Sequence, residues 1–562
     1  MSSKQTISFC ISFAILCIGC IFSTQMRIFD ALIQSKWFAF YFIVCGIGLF
    51  FGYSRKKEYK FRIADIAVGF IITYLSIHNL LSNNLVDFWI NLLPILSLYY
   101  VFRLRGCCLP FKAAAWIMLL CSIGLSVWGL SQINSWDSLR SNTTFTGPFE
   151  SCAAYAISLV LCLPFVLYLL LHNQKYKGLI VAALLLTITM IALSQSRMAW
   201  LSALAIGIFL FFCSKRSVRS IKFAVKWSLP IVITILSILV YFIRPESANG
   251  RVFIWFNTLS LYTRNLLFGN GYNTFKRDYM VQQADFFRAY PESHFSMIAD
   301  NVSHPFNEYL NLLVQWGTVG ALLLAILVFI LITAWKKNRS AESDITVACL
   351  LAIAVSSCVS YPFCYPFTWV VLILCVSRLA EGTKEIRTFR SSISCLLPIC
   401  FVVGIGMYGN MYYRHHEWYN ASKLYNKDSQ TAIQHYQTLT THLHSDPYFL
   451  YNHAAILYDA GYYKKCFHQL EACSKSLNDY DVVMLKGMTS RELGHYDEAL
   501  TWFRLASNMC PSKFMPLYQI FETLILCGRE KEAKALCKII IEKPVKIDSD
   551  QVRFIKAKCS AY

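Results

Sequence analysis

The sequence predicts an all-α protein in two parts: a polytopic helical membrane domain and a soluble α-solenoid. Three observations carry that prediction. Hydrophobic residues make up 56% of the 562-residue chain and charged residues 15%, with a mean hydropathy of +0.45. A soluble protein of this size could not hide so much apolar surface, so most of it faces lipid. Apolar stretches of roughly 20 residues, enough to cross ~30 Å of hydrocarbon, recur from Thr6 to Tyr413. Beyond Tyr413 the charged and amide residues return to soluble frequencies, and glycine recurs at Gly461, Gly494 and Gly528. The expected domains are 1–413 in the membrane and 414–562 outside it.

Within the first part, about thirteen crossings are expected, near 6–23, 37–53, 63–80, 86–102, 113–131, 152–171, 178–194, 198–213, 223–243, 307–334, 345–361, 364–380 and 393–413. The first follows Lys4 and lacks a small-x-small cleavage site, which reads as an uncleaved span rather than a signal peptide. The net charge of +20 is concentrated in short loops: Arg55-Lys56-Lys57, Arg103 with Arg105, Lys175 with Lys177, Lys215-Arg216, and Lys336-Lys337 with Arg339. That is a positive-inside pattern rather than a nucleic-acid surface. It places Met1 in the cytoplasm and the tail outside. Two prolines, Pro362 and Pro366, interrupt the run from Val347 to Leu379 and predict a tight hairpin.

One outside loop, 244–306, is far longer than a connector needs, and loops of roughly 60 residues usually carry function. It contains no Asp-x-Asp, so no metal site is expected there. Most of the 22 cysteines lie in apolar stretches, where a thiol acts as a small hydrophobe. Zinc and thioredoxin-like sites are not expected. The six in the tail, Cys466, Cys473, Cys510, Cys527, Cys537 and Cys559, suit either disulfides or core packing.

The tail repeats itself. Gly461, Gly494 and Gly528 stand 33 and 34 residues apart, each just before a helix, and the middle unit adds Gly487, Ala499, Phe503, Ala506 and Pro511. This resembles the tetratricopeptide pattern, with three to four repeats over 420–544. Such repeats offer concave surfaces to a protein or peptide.

Four stretches carry the chemistry. In Gln195-Ser196-Arg197, the arginine sits between two spans with almost no loop around it. At that depth it either snorkels or meets an anion. Ser196 is placed to cap the helix expected from Met198 and to turn its positive end toward the same anion. Arg251 precedes Trp255 in a segment whose Val252, Phe253, Trp255 and Phe256 suit an interfacial helix, although an ordinary surface arginine fits too. Gly269-Asn270-Gly271 reads as a loop-shaping element. His304, followed by Asn307-Glu308-Tyr309, is either an interfacial histidine or a proton acceptor at a helix start.

Together these features resemble the O-antigen ligase and polymerase superfamily, whose members transfer glycans from polyprenyl diphosphate at the outer face of the membrane. The likeness spans roughly 140–335 and includes Thr146-Gly147-Pro148-Phe149 and Gln315-Trp316-Gly317-Thr318-Val319-Gly320. It implies that Arg197 and Arg251 bind the diphosphate and that His304 activates the acceptor. Ser196, Arg264, Asn307 and Glu308 are expected around the donor and its glycan. It implies an inverting, metal-independent glycosyl transfer without a cofactor, from a polyprenyl-diphosphate-linked glycan to a lipid or protein hydroxyl. The repeat tail is closer to protein O-oligosaccharyltransferases of that superfamily than to its lipopolysaccharide ligases. The implied setting is the bacterial cytoplasmic membrane, with a periplasmic tail. One departure stands out: many members place His-Asn directly before Glu-Tyr-Leu, whereas Phe306 holds that place here. A glycan polymerase, a transporter or a scaffold protein are the alternative readings.

Overall fold

The computed structural model describes residues 3–52, 58–81, 85–105, 109–133, 145–214, 245–390 and 397–562. The expected span 223–243 and Arg244 lie outside these residues. Every other expected crossing coincides with a described helix: α1 (Ser3–Phe22), α2 (Ala31–Gly52), α3 (Ile63–Leu81), α4 (Leu85–Arg105), α5 (Phe111–Ser131), α6 (Cys152–His172), α7 (Lys177–Leu193) and α8 (Arg197–Cys213). After the long loop, which forms α9 (Pro245–Tyr262) and α10 (Thr274–Ala289), come α11 (Glu308–Lys337), α12 (Ala341–Ser357), α13 (Pro366–Ala380) and α14 (Leu397–Leu424). Six of the described helices are long and apolar enough to cross a bilayer by themselves. The proline pair acts as expected: a 3-10 turn, Pro362–Cys364, links α12 to α13, which starts on Pro366.

The chain divides into two compact units. One comprises Met1–Ile238, Phe306–Tyr309 and Gly320–His416; the other comprises Leu239–Pro305, Leu310–Val319 and Glu417–Tyr562. The long loop therefore folds with the repeats.

Among the described candidate spans α6 is the most enclosed, with Tyr155, Leu159, Leu161 and Phe165 all fully buried. Hydroxyl pairs tie neighbouring helices where no water is available: Ser122 with Thr187 at 2.8 Å (α5 to α7) and Ser202 with Ser356 at 3.0 Å (α8 to α12). Lys36, 1% exposed, closes the C-terminal end of α1 by donating to the Ile21 and Ser23 carbonyls at 2.8 and 2.9 Å. Asp65 accepts from Arg103 at 2.9 Å and from the Tyr99 hydroxyl at 2.7 Å. One feature departs from an all-helical unit. Strands β1 (Glu58–Arg62) and β2 (Glu385–Arg390) pair antiparallel, with Glu58 opposite Arg390 and Lys60 opposite Thr388. Local sequence gave no hint of a pairing between segments so far apart.

The tail consists of helical hairpins: α15 (Ser429–Leu443), α16 (Pro447–Asp459), α17 (Tyr463–Ser474), α18 (Tyr480–Glu492), α19 (Tyr496–Met509), α20 (Met515–Leu526), α21 (Glu530–Glu542) and α22 (Asp550–Ala561). Each repeat turns in the same way. Gly461, Gly494 and Gly528 take φ near +79, +79 and +74, and the next residue's N–H reaches back to Leu457, Ser490 or Leu524. This is the left-handed helix stop that glycine favours. Ala432, Cys466, Ala499 and Ala533 recur at repeat spacing and are all fully buried, which places α15 in a first, divergent repeat. The end of α14 covers that repeat: Trp418, 2% exposed, donates to Asn452 at 2.9 Å and packs on Phe449.

All described cysteines are free thiols. Cys17 and Cys20 form a Cys-x-x-Cys pair, but both are buried within α1. Those in the tail pack the repeats, with only Cys527 partly exposed.

Candidate functional site

The turn carrying Arg197 belongs to the first unit. Only Ser194-Gln195-Ser196 separates α7 from α8, and Gln195 takes φ +51, a left-handed conformation uncommon outside glycine. The Ser194 hydroxyl closes the turn, donating to the Ile191 carbonyl at 2.6 Å and accepting the Ser196 N–H at 3.3 Å. Here the structure corrects the expectation. The helix begins at Arg197 rather than Met198, and Ser196 holds the cap position without a side-chain cap hydrogen bond. Arg197 is thus the first helical residue, half-buried, beside the unpaired N–H groups that open any α-helix.

Asn307, Glu308 and Tyr309 also belong to this unit and start α11. The Asn307 side-chain oxygen accepts the Tyr309 N–H at 3.0 Å, a cap at the helix start, and Glu308 places its charge in the first turn. Phe306 takes φ +51 and sets its ring 5.4 Å from Tyr361. A bulky residue in that region is strained, and such strain concentrates at functional sites.

Arg251, Arg264 and His304 lie in the second unit. Helix α9 packs on α10 around a small aromatic core: Phe253 sits 5.0, 5.2 and 4.9 Å from Phe286, Phe287 and Phe295. This corrects the interfacial-helix expectation in part. Phe253 is 1% exposed and serves this core, whereas Val252 and Phe256 are 54% and 60% exposed. Trp255, one turn beyond Arg251 on the same face, donates its indole N–H to the Pro305 carbonyl at 3.0 Å. The residue before Pro305 is His304, so a single hydrogen bond ties the helix of Arg251 to the segment of His304. Burial, and then the positive charge of Lys276, push the His304 pKa down to about 4. The imidazole is therefore neutral near pH 7. Arg264 is exposed and donates to Gln282 at 2.6 Å.

The two glycine motifs prove to be one device. Asn270 and Gly271 donate to the Val314 and Gln315 carbonyls at 2.8 and 3.0 Å, and Thr318 and Val319 donate to Leu266 and Leu267 at 2.9 and 3.0 Å. Helix α11 breaks at Gly317 (φ +63, ψ −168) to receive this loop. A Cβ on Gly269 would lie 2.5 Å from the Gln315 carbonyl carbon, and one on Gly317 would lie 2.3 Å from the Leu267 carbonyl oxygen. No side chain fits at either position. Side chains reinforce the clasp: Asn270 donates to Leu261 at 3.0 Å, and Gln315 accepts the Asn273 N–H at 3.3 Å. The Gly-x-G spacing signalled a shaped loop, but nothing local to it pointed to Gly317.

Residues 182–325 match the family model for O-antigen ligase. The matched stretch holds Ser196, Arg197, Arg251, Arg264, His304, Asn307 and Glu308, together with both halves of the glycine clasp. It supports a membrane enzyme of glycan transfer in general. No curated protein matches the chain. Among solved structures, the crystal structure of yeast Tom70 matches at 11% identity, covering 88% of this chain and 96% of that one, with a TM-score of 0.21. A likeness at that score carries no weight here.

Proposed function

We propose that this protein transfers a glycan from a polyprenyl-diphosphate carrier to an acceptor hydroxyl on the outer face of the bacterial cytoplasmic membrane, as an O-antigen ligase or protein O-oligosaccharyltransferase does. Met1 is then cytoplasmic and the tail periplasmic. The observation that carries the reading is the Trp255–Pro305 hydrogen bond, which joins the segments of Arg251 and His304 inside the stretch matched by the ligase family.

In this reading Arg197 and Arg251 bind the diphosphate of the donor and meet the charge that develops on it as the bond from the anomeric carbon to the phosphate oxygen breaks. The first-turn N–H groups of α8 add to that field. The acceptor oxygen attacks the anomeric carbon from the opposite face, which inverts it, and its proton passes to the neutral His304. An imidazole held near pKa 4 is a weak base, but a bound diphosphate would raise that value by favouring the charged form. Donor binding thereby readies the base. Arg264, Ser196, Asn307 and Glu308 border the donor and its sugars. A glycan polymerase would differ only in offering a growing glycan as acceptor.

The test is transfer from a polyprenyl-diphosphate-linked oligosaccharide by the purified protein in lipid nanodiscs. Arg197→Ala and Arg251→Ala should each lower kcat/KM by at least about a hundredfold at normal abundance. Wild-type turnover by either variant would overturn the assignment.

A further inference from the structure

Two segments of the long loop are fastened to the repeats of the same unit. On α10, Gln283 is fully buried; its amide donates to the Met509 carbonyl at 2.5 Å and to the Asp300 carbonyl at 3.1 Å. Its oxygen accepts the Tyr279 hydroxyl at 2.9 Å. Met509 is the last residue of α19, so its carbonyl is one that the helix itself leaves unpaired. Two turns earlier on α10, the Lys276 carbonyl accepts the Asn478 N–H at 3.3 Å, and its amine donates to the Tyr448 hydroxyl at 3.1 Å.

The second attachment lies just before His304. The Asn301 amide donates to Asp481 at 3.2 Å and to Asp479 at 3.4 Å, and Asp300 pairs with Lys513 at 3.8 Å. Asp479-Tyr480-Asp481 has an Asp-x-Asp spacing, yet its geometry serves other ends. One oxygen of Asp479 caps α18 by accepting from the backbone of Asp481 and Val482, while the other accepts from Asn301. A continuous path therefore runs from the repeats through Gln283 and Asn301 to His304 and Pro305, then through Trp255 to the helix of Arg251.

We infer that the repeat tail is a positioning element of the transfer site, acting through Gln283 and Asn301 to hold His304 and Arg251 in place. The inference rests on the transferase reading above. It gives the repeat surface around Met509, Asn478 and Asp481 an occupant from within the chain, the loop segment 276–301.

The swap of Asn301 and Asp481 tests it in the full-length protein in nanodiscs. Asn301→Asp sets a further carboxylate against Asp300, Asp479 and Asp481 and should loosen the attachment. Adding Asp481→Asn restores a donor–acceptor pair with the roles exchanged. Hydrogen–deuterium exchange should rise in 250–262 and 298–305 for Asn301→Asp alone, with the membrane helices unchanged, and return to wild type in the double variant. Turnover from the lipid-linked donor should fall about tenfold and recover with it, the donor KM moving less than kcat. Gln283→Met, which keeps the volume and removes both donations, should reproduce the single variant from the other attachment. Unchanged exchange at 250–262, a double variant that stays impaired, or raised exchange with wild-type turnover would each overturn the inference. The exchange measurements contain no glycan. A wild-type protein that transfers nothing would therefore sink the transferase reading, while the exchange at 250–262 and 298–305 alone would uphold or overturn the coupling of loop and repeats.

Discussion

Gly317→Ala would place a methyl carbon 2.3 Å from the Leu267 carbonyl oxygen and 2.6 Å from the Gly269 nitrogen. Both are backbone atoms, so no rotamer change relieves the overlap. The backbone at φ +63, ψ −168 also belongs to a region that only glycine populates freely, which adds about 1–3 kcal/mol of strain. The variant must either absorb these costs or open the clasp. Opening gives up at least the four backbone hydrogen bonds of Asn270, Gly271, Thr318 and Val319, worth about 1 kcal/mol each. The expected result is opening, at ~4 kcal/mol, a shift of on the order of a thousandfold in the local equilibrium. Hydrogen exchange of peptides covering 266–271 and 314–319 reads this directly, and Gly269→Ala should behave alike. Gly250→Ala is the contrast. Its Cβ would meet nothing within 4 Å, and the site is helical, so that variant should hold or gain about 0.5–1 kcal/mol. Wild-type exchange protection in Gly317→Ala would refute the clasp.

Other expectations follow from the same geometry. Arg197→Lys and Arg251→Lys should recover only part of the turnover lost in the alanine variants, because an ammonium lacks the planar fork that fits phosphate oxygens; full recovery would reduce each arginine to a point charge. His304 binds its proton near pH 4 in the folded protein and near 6.5 when unfolded, so its contribution to stability is complete above about pH 6.5 and lost as pH falls through 4. The thermal midpoint of His304→Gln should therefore fall less than that of wild type between pH 7 and 4.5, and equal falls would remove His304 from the acid response. His294→Ala, on the short 3-10 turn, should leave turnover near wild type. Reporters fused after Lys337 and after Tyr562 should read cytoplasmic and external respectively; a cytoplasmic tail would move the reaction to the wrong side of the membrane.

The features legible in the sequence are those written locally. Spans announce themselves by length and apolarity, and the repeats by glycines that must take left-handed turns. Arg197 was visible because a cation between two spans is costly, although its helix starts one residue earlier than the serine spacing suggested. Sequence alone groups Phe253 with its apolar neighbours Val252 and Phe256 as an interfacial face; only the presence of Phe286 and Phe295 opposite decides which of the three turns inward. Gln283 and Asn301 looked like ordinary polar residues, since nothing in their own segments shows that Met509 offers a carbonyl or Asp481 a carboxylate. The pairing of Glu58–Arg62 with Glu385–Arg390 was hidden for the same reason. In each case the partner lies far away along the chain.

That distance bears on how the molecule is made. The loop with Arg251 and His304 leaves the ribosome well before the repeats to which Gln283 and Asn301 attach, and helices α11 to α14 are synthesised in between. For that interval Gln283 and Asn301 lack the carbonyl of Met509 and the carboxylates of Asp479 and Asp481, and the loop waits as a half-built structure. A nascent chain released before Asn478 and Met509 would carry every residue of the proposed chemistry and still lack the surface against which they are set. If the repeats position the site as inferred above, such a truncated product would be inert at the membrane.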